Sequence, residues 1–317
     1  MSEVGLFLSS EEHGPAALVD QAQLGEDAGF AAVLISDHFH PWVESQGESP
    51  FVWSVIGGIA ATTRQKITTG VTCPTFRIHP AIIAQAAATS QIMADGRFVL
   101  GVGSGEALNE HILGHRWPPV STRLEMLEEA VEVMRRLWAG SLVTHHGQYY
   151  TVENARLYSI PESPPPVAVS AFGPDSLGLA ARIADGLVTT QPDAGMVRSY
   201  REQGGTGPVV GAVKVCWGDD EAQARKVAHE LWATELLPGQ LNQELPMPKH
   251  FREAASLVTE GMVADNVTCG PDPERHVAAI AAYLEAGFDE VYVNQIGDDQ
   301  RGFCEFYRTE LSPRLGL

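Results

Sequence analysis

Residues 31–42 read AAVLISDHFHPW, in which a short apolar run passes directly into a segment with an aspartate, two histidines and a tryptophan. The apolar run, residues 31–35, has the length and composition of a strand that is buried on both faces, as in a parallel sheet. In barrels built from such strands, functional groups follow the carboxyl ends of the strands. The stretch therefore predicts a buried parallel strand with a functional segment immediately after it.

The same pattern recurs along the chain. Eight apolar or β-branched runs alternate with segments of helical period rich in Ala, Leu and Glu, which is typical of βα units. The predicted strands are residues 4–8, 31–35, 67–71, 98–102, 167–170, 186–190, 209–217 and 290–294. The predicted helices lie near residues 15–28, 51–63, 79–93, 121–139, 174–183, 194–203, 219–236 and 272–286.

Eight βα units predict a closed (β/α)8 TIM barrel. An open doubly wound sheet usually has five or six strands and a Gly-rich first turn, whereas the first turn here is SSEEHGP. We expect one domain over residues 1–317, with two insertions. Residues 141–166 contain GQYY and three consecutive prolines, which indicate a hairpin; residues 237–270 include a predicted helix from 251 to about 263. Insertions of this length usually serve as lids, substrate walls or dimer surfaces.

Composition excludes several classes of function. The net charge of −19, from 40 acidic and 21 basic residues, argues against a general nucleic-acid surface. No apolar run approaches the roughly 18 to 20 residues of a membrane span, and the first residues carry acids where an export signal has bases. The four cysteines are scattered and are expected to be reduced thiols. We therefore expect a cytoplasmic protein with no nucleic-acid or membrane partner.

Polar segments also follow the third, fourth and fifth predicted strands. They are TCPTFR at 72–77, GSGEALNE at 103–110 and SAFGP at 170–174. Gly173 and Pro174 at a helix start leave backbone N–H groups beside the positive end of the helix dipole, which suits a phosphate. The glycines before Glu106 allow a flat ligand to approach the backbone. The ordinary alternatives are a simple βα turn and an acid stabilised at a helix N terminus.

In the second segment, Asp37 and His38 have an ordinary alternative as a helix cap and a partly buried histidine. Trp42 favours a functional reading, because a tryptophan at a barrel mouth is well suited to stacking or to shaping a pocket. Four other residues are expected to be structural or to lie on the surface: His40, Cys73, His145 and His146.

Together these stretches resemble the bacterial luciferase-like oxidoreductases (the LLM class) and, within them, the deazaflavin-dependent glucose-6-phosphate dehydrogenase group. The resemblance is carried by SDHFHPW (36–42), GVTCPTFRIHPAIIAQAAAT (70–89), GRFVLGVGSGEALNEHILG (96–114), RLEMLEEAVEVMRRLW (123–138) and FYRTELSPRL (306–315). It implies a homodimeric TIM-barrel dehydrogenase that uses coenzyme F420, a 5-deazaflavin that accepts hydride at C5, and acts on a small-molecule substrate.

The resemblance also implies roles for single residues. His38 would stand beside the reacting carbon and hydroxyl, Trp42 would stabilise the reacting complex, and Glu106 would lie near the N1 edge of the deazaflavin; these are the expected catalytic residues. The expected cofactor-binding residues are Asp37, Gly70, Val71, Thr72, Asn109, Ala171, Phe172 and Gly173. Asp37 would contact the cofactor or orient its neighbour, and a non-prolyl cis peptide is implied between Gly70 and Val71.

Elementary chemistry agrees with these roles. Oxidising an alcohol sends hydride to the acceptor while the hydroxyl loses a proton, and a histidine is suited to take up that proton near neutral pH. Reduction also places negative charge on the pyrimidine side of the deazaflavin. A protonated Glu106 would neutralise this charge, which requires its pKa to be raised.

The substrate half of the sequence departs from this group, whose members hold the substrate phosphate with two lysines and an arginine. Residues 189–195, 239–244 and 260–265, where these bases are expected, carry acids and neutral groups instead. We therefore expect a neutral or apolar alcohol, aldehyde, ketone or unphosphorylated sugar rather than glucose 6-phosphate, with the direction of hydride transfer open.

Three other functions are compatible with parts of the sequence. An FMN-dependent luciferase-like monooxygenase would use the same fold with a similar tricyclic cofactor. A non-catalytic deazaflavin-binding protein would need no proton-handling group such as His38 or Glu106. A metal-dependent hydrolase would use the H-x-H at 38–40, but the fifth strand end offers no further ligand, so no metal is expected.

Overall fold

In the computed structural model, which describes residues 3–316, eight parallel strands close into a barrel. The strands of the protein are β1 (Glu3–Leu8), β2 (Ala32–Ile35), β3 (Lys66–Thr69), β4 (Phe98–Val102), β5 (Val143–His146), β6 (Thr151–Ala155), β7 (Val167–Ser170), β8 (Gly186–Thr189), β9 (Val209–Cys216), β10 (Thr268–Cys269) and β11 (Glu290–Gln295). The barrel order is β1-β2-β3-β4-β7-β8-β9-β11, and β11 pairs with β1 to close it. All eight predicted strands and the (β/α)8 fold are confirmed.

Helices connect the strands and surround the barrel. They are α1 (Pro15–Ala28), α2 (Val52–Thr62), α3 (Pro80–Met93), α4 (Ala107–Glu110), α5 (Val120–Trp138), α6 (Pro174–Ile183), α7 (Ala194–Glu202), α8 (Glu221–Trp232), α9 (Leu241–Glu244), α10 (Pro248–Ala254), α11 (Glu260–Ala264), α12 (Pro273–Glu285), α13 (Gln300–Phe306) and α14 (Ser312–Leu315). The helix predicted from 251 to 263 is broken by a 3-10 turn at Ala255–Leu257. Sequence patterns missed α4, α9, α13 and α14.

The strands do not alternate between apolar and polar residues, because both of their faces are buried. On β2, Val33 and Ile35 pack outward against the helices, while Ala32 and Leu34 face the barrel interior. The same inward cluster includes Tyr292 of β11. Partly exposed side chains pack against this cluster, among them Phe7 near the carboxyl end of β1 and Val71 just after β3. The carboxyl end of the strands is the open mouth of the barrel.

The third strand is shorter than predicted. The prediction extended it to residue 71, but β3 ends at Thr69 and the Gly70–Val71 peptide bond is cis, as the resemblance implies. Thr72 then returns to the sheet through a single bridge to Val102. Residues 70–72 therefore lie at the mouth, outside the regular ladder.

Two segments add to the eight βα units. Strands β5 and β6 form an antiparallel hairpin between α5 and β7, within the predicted segment 141–166. Residues 217–270, which we call the cap, contain α8 to α11 and end at β10, which pairs with the end of β9. Helix α8, predicted as a barrel helix, packs on β9 and β10 and also against α11, and α12 packs on β9 and β11.

The four cysteines are buried and unpaired, in agreement with the prediction of reduced thiols. No helix in residues 3–316 combines the length and the apolar character needed to cross a membrane.

Candidate active site

His38 lies at the centre of the mouth, between two carboxylates. Its Nε2 atom is 3.4 Å from Oε1 of Glu11, which follows β1, and 3.6 Å from Oε2 of Glu106, which follows β4. The His38 side chain is 10% exposed. The carboxyl ends of β1, β2 and β4 thus bring one imidazole and two acids together, in a partly exposed position where a substrate can reach them.

Asn109 fixes the far side of the imidazole. Its Oδ1 accepts the backbone N–H groups of Phe39 at 2.8 Å and His40 at 3.2 Å, so its NH2 group must face His38 Nδ1, at 3.2 Å, and Glu106 Oε2, at 3.1 Å. The carbonyl oxygen of His40 also lies 3.2 Å from His38 Nδ1. Because Nδ1 has a partner in either tautomer, Nε2 is free to take up or release a proton without rotation of the ring.

Glu11 is the part of this group that sequence reasoning missed. The hydroxyls of Ser36, at 2.6 Å, and Ser9, at 3.0 Å, donate to its Oε2, which leaves Oε1 facing His38. Its side chain is buried. Its position predicts a place at the mouth, because Glu11 follows β1 just as His38 follows β2. The sequence analysis used this turn only to exclude a Gly-rich motif.

Glu106 sits at the rim of the group. Burial, the largest effect, raises the pKa of Glu106, whereas neighbouring His38 lowers it and Glu11 raises it. The side chain keeps 30% of its surface exposed. A raised pKa is the condition that the proposed proton-holding role of Glu106 requires.

Asp37 is held in a buried charge network instead of facing the open mouth. Thr72 Oγ1 donates to its Oδ2 at 2.7 Å, and Arg77 Nη2 donates to its Oδ1 at 2.6 Å. Glu110 accepts the backbone N–H of Arg77 at 2.8 Å, and burial raises the pKa of Glu110 to about 6. Both Asp37 oxygens are thus hydrogen-bonded within the protein, an arrangement compatible with the expected orienting role of Asp37.

Trp42 lies between His38 and the cap. Its ring centroid lies 4.9 Å from that of His38, and it meets Phe251 of α10 edge-on at 5.2 Å. Its backbone N–H donates to Gln46, which in turn donates to the carbonyl oxygen of Leu231 at the end of α8. The cap therefore forms the wall beside His38.

Across the mouth from the cap lie Val71, Phe172 and Gly173, which are expected to contact a flat cofactor and its phosphate. Val71 is partly exposed there, and a side chain at Gly103 would collide with it, since a Cβ would come within 2.8 Å of Val71. The backbone N–H groups of Phe172 and Gly173 converge on one oxygen, Ser176 Oγ, at 3.3 Å each. A phosphate oxygen at this helix start would meet the same two donors.

Other residues singled out in the sequence do not join this group. His40 bonds through Nδ1 to the carbonyl oxygen of Leu108, and Cys73 is buried with a pKa well above its ordinary value because of desolvation. His145 pairs with Glu129, and His146 pairs with Glu153, at the hairpin. Within residues 3–316 no group of three or more His, Cys, Asp or Glu side chains is arranged to hold a metal ion.

Comparison with known proteins agrees with this geometry. The family model described as luciferase-like monooxygenase matches residues 1–290. Two relatives named F420-dependent glucose-6-phosphate dehydrogenase, from Microbacterium testaceum and Nocardia farcinica, are 36% and 34% identical. The alignments cover 98% and 99% of this chain and 96% and 98% of the relatives.

Among solved structures, an F420-dependent secondary alcohol dehydrogenase in complex with an F420-acetone adduct superposes with a TM-score of 0.91 at 30% identity, covering 99% of both chains. The family match, the full-length relatives and the shared barrel lead to one conclusion: the chain belongs to the luciferase-like monooxygenase family.

Proposed function

We propose that the protein is an F420-dependent oxidoreductase that acts on an alcohol or carbonyl substrate other than glucose 6-phosphate. The observation that carries the proposal is the placement of His38 Nε2 between Glu11 and Glu106, with Trp42 alongside, at the mouth of this barrel. The names of the relatives and of the F420-acetone complex support the same cofactor and reaction class.

When bound, the deazaflavin supplies the hydride acceptor or donor at C5. The work of the protein is then to orient the substrate and move one proton. In the oxidative direction Nε2 of His38 takes the proton of the substrate hydroxyl, while Nδ1–H donates to the carbonyl oxygen of His40. Glu11, held by two serine hydroxyls, stabilises the imidazolium that results. In the reductive direction the same nitrogen returns the proton.

Glu106 has a separate role in this proposal. Its raised pKa allows it to hold a proton beside the pyrimidine edge of the cofactor, where reduction adds negative charge. Asn109 donates to Glu106 and so ties the acid to the histidine. The two proton-handling groups are thereby kept in one hydrogen-bonded unit.

The remaining cofactor contacts are assigned by position. Gly70, Val71 and Thr72 would support the ring from the end of β3, with Asn109 among its polar neighbours, and Ala171 to Gly173 would bind its phosphate at the start of α6. Asp37 would hold Thr72 and Arg77 in place beneath these contacts. Luciferase-like proteins that use FMN present a similar ring and phosphate, so the choice of cofactor needs a direct test.

We also infer that the protein is a homodimer, formed through the surface of α2 and α3. Phe51, Ile82 and Met93 are exposed apolar side chains on and beside these helices, and all three line a groove of about 300 Å³. A continuous apolar surface of this kind is typical of an interaction site. Light scattering coupled to size-exclusion chromatography measures the mass directly, and a monomer at micromolar concentration would refute the inference.

Two further expectations extend the proposal. The hairpin at 141–166 and the cap are both attached to one barrel, which supports a single domain over the chain. Four unpaired cysteine thiols are consistent with a reducing compartment such as the cytoplasm.

The proposal is tested by titrating the purified protein with oxidised F420 and with FMN in parallel, following fluorescence quenching. Tight binding of F420, with FMN binding at least tenfold weaker, is the expected result. Binding of FMN alone would place the protein among the flavin enzymes, and binding of neither would remove the cofactor assignment.

A further inference from the structure

A lysine that the sequence analysis overlooked reaches the mouth from β9. On this strand Val210 and Ala212 face the barrel interior and Val213 and Val215 face the helices, so alternation places Lys214 on the inward side at the carboxyl end. Its side chain is 16% exposed. A basic side chain is therefore present at the mouth, outside the segments 189–195, 239–244 and 260–265 in which the family resemblance predicts the phosphate-binding bases.

The cap neutralises this lysine. Glu235 lies in the 3-10 turn Ala233–Leu236 after α8, and its Oε2 is 2.9 Å from Lys214 Nζ. The same ammonium lies 4.4 Å from the centroid of the Trp232 indole ring. The Glu235 side chain is 38% exposed, so this pair faces solvent and any ligand that enters. The charge that would attract an anion is already balanced by a carboxylate.

Two residues described in the structure show how little further positive charge is free at this end of the barrel. The inward residue beside it across the sheet is the neutral Asn294 of β11. Arg77, in the loop after β3, is bonded to Asp37, and its Nε lies 3.7 Å from Glu110. A phosphate dianion is normally held by several bases together, so a lysine already paired with a carboxylate is a poor site for one.

We propose that Glu235 is a specificity-determining residue, which cancels the charge of Lys214 and makes the mouth accept neutral alcohols or carbonyls and reject phosphate- or carboxylate-bearing ones. This inference rests on the proposed function for the reaction, but the selection against anions is a property of the protein alone. The physical basis is repulsion: an anion near Lys214 also meets Glu235, and it must displace that carboxylate to reach the ammonium.

The test is anion binding to Glu235→Gln in the absence of cofactor, with inorganic phosphate as the probe in isothermal titration calorimetry. Freeing Lys214 is expected to tighten phosphate binding about tenfold relative to wild type. The double variant Glu235→Gln/Lys214→Gln is expected to lose this gain. Glu253→Gln is the matched control, because Glu253 is an exposed cap carboxylate that also pairs with a lysine, Lys249, at 3.8 Å.

Two results would overturn the proposal: no gain in phosphate affinity for Glu235→Gln, or an equal gain for Glu253→Gln, which would reveal only a change in net charge. If Glu235→Gln does not fold, Lys214→Gln decides, since a loss of phosphate binding relative to wild type would show that Lys214 already accepts anions. With F420 present, a rise in turnover of lactate relative to 1,2-propanediol in Glu235→Gln is the matching kinetic result. Absence of any turnover would reject the proposed reaction while leaving the phosphate result interpretable.

Discussion

The loops after β2, β3 and β4 are cross-linked by buried charge, whereas the cap meets them largely through apolar contacts. On one side the Arg77 side chain donates to Asp37, and its backbone N–H donates to Glu110. The Asn109 amide NH2 group contacts both His38 Nδ1 and Glu106. On the other, Phe251 packs among Val43, Leu108 and Leu237, with Trp42 against them. Directional hydrogen bonds specify one geometry, while apolar packing tolerates changes in shape. Under the proposed function, the hydrogen-bonded loops after β2, β3 and β4 are a fixed half for cofactor and proton transfer, and the cap is an adaptable half for substrate.

The largest effect is expected in the fixed half. His38→Asn removes the proton acceptor but keeps a polar side chain, so turnover should fall by about 10³-fold. Binding of F420 should remain within a few-fold of wild type, because the ring contacts assigned to Gly70 to Thr72 are unchanged. Stopped-flow reduction kinetics and a binding titration measure the two effects separately. A parallel loss of cofactor affinity would show that His38 serves binding.

Glu106→Gln tests whether the acid at the rim holds a catalytic proton. The amide preserves a hydrogen-bonding side chain but has no exchangeable acidic proton, so turnover should fall about 100-fold and the pH dependence of kcat should change. A pH–rate profile of variant and wild type gives the comparison. Unchanged kinetics and an unchanged profile would remove the acid role of Glu106.

Phe251→Leu tests the adaptable half. Trimming the ring that supports Trp42 should raise KM for the alcohol about tenfold and leave F420 affinity unchanged, because Phe251 belongs to the cap. Phe30→Leu is the control for a general loss of core packing, since Phe30 stacks on Tyr307 instead. Equal changes in both variants would indicate that KM follows stability and not the cap.

The smallest effect is a pH dependence of stability at the junction of the two halves. Glu12 accepts hydrogen bonds from Trp232 of the cap and from the Gly297 backbone, and burial raises its pKa from 4.5 to about 7. Between these values the folded state holds more protons than the unfolded state. The unfolding free energy should therefore fall as pH rises through this window.

Glu12→Gln should flatten the Glu12 part of this dependence, leaving a contribution from Glu110, whose pKa is raised to about 6. Denaturant unfolding at pH values across the window measures it. An identical pH dependence in variant and wild type would show that Glu12 does not titrate in the folded protein over this range.

Much of the fixed half was predictable because its residues follow strands directly. A strand buried on both faces carries a strong sequence signal, and the carboxyl end of each strand marks one edge of the barrel. His38, Trp42 and Glu106 were singled out in this way, and Asn109 through the family resemblance. Glu11 obeys the same rule and was missed only because the first turn was compared with a nucleotide-binding motif.

The adaptable half was less predictable for physical reasons. Helix α8 has the period of a barrel helix, and only the fold shows that it packs against β10 and α11 of the cap as well as on β9. The pairing of Lys214 with Glu235 joins a strand to a turn after a helix, and nothing in the local sequence of either residue indicates the other. Likewise, the sequence shows Arg77 only as a loop residue, because its partners Asp37 and Glu110 lie in the loops after β2 and β4.

The most direct test of the account is a single-turnover experiment, in which wild-type protein with bound, oxidised F420 is mixed with a neutral secondary alcohol such as propan-2-ol. The account predicts that the deazaflavin absorbance band bleaches with the neutral alcohol and stays unchanged with glucose 6-phosphate. Bleaching by glucose 6-phosphate and not by neutral alcohols would contradict it.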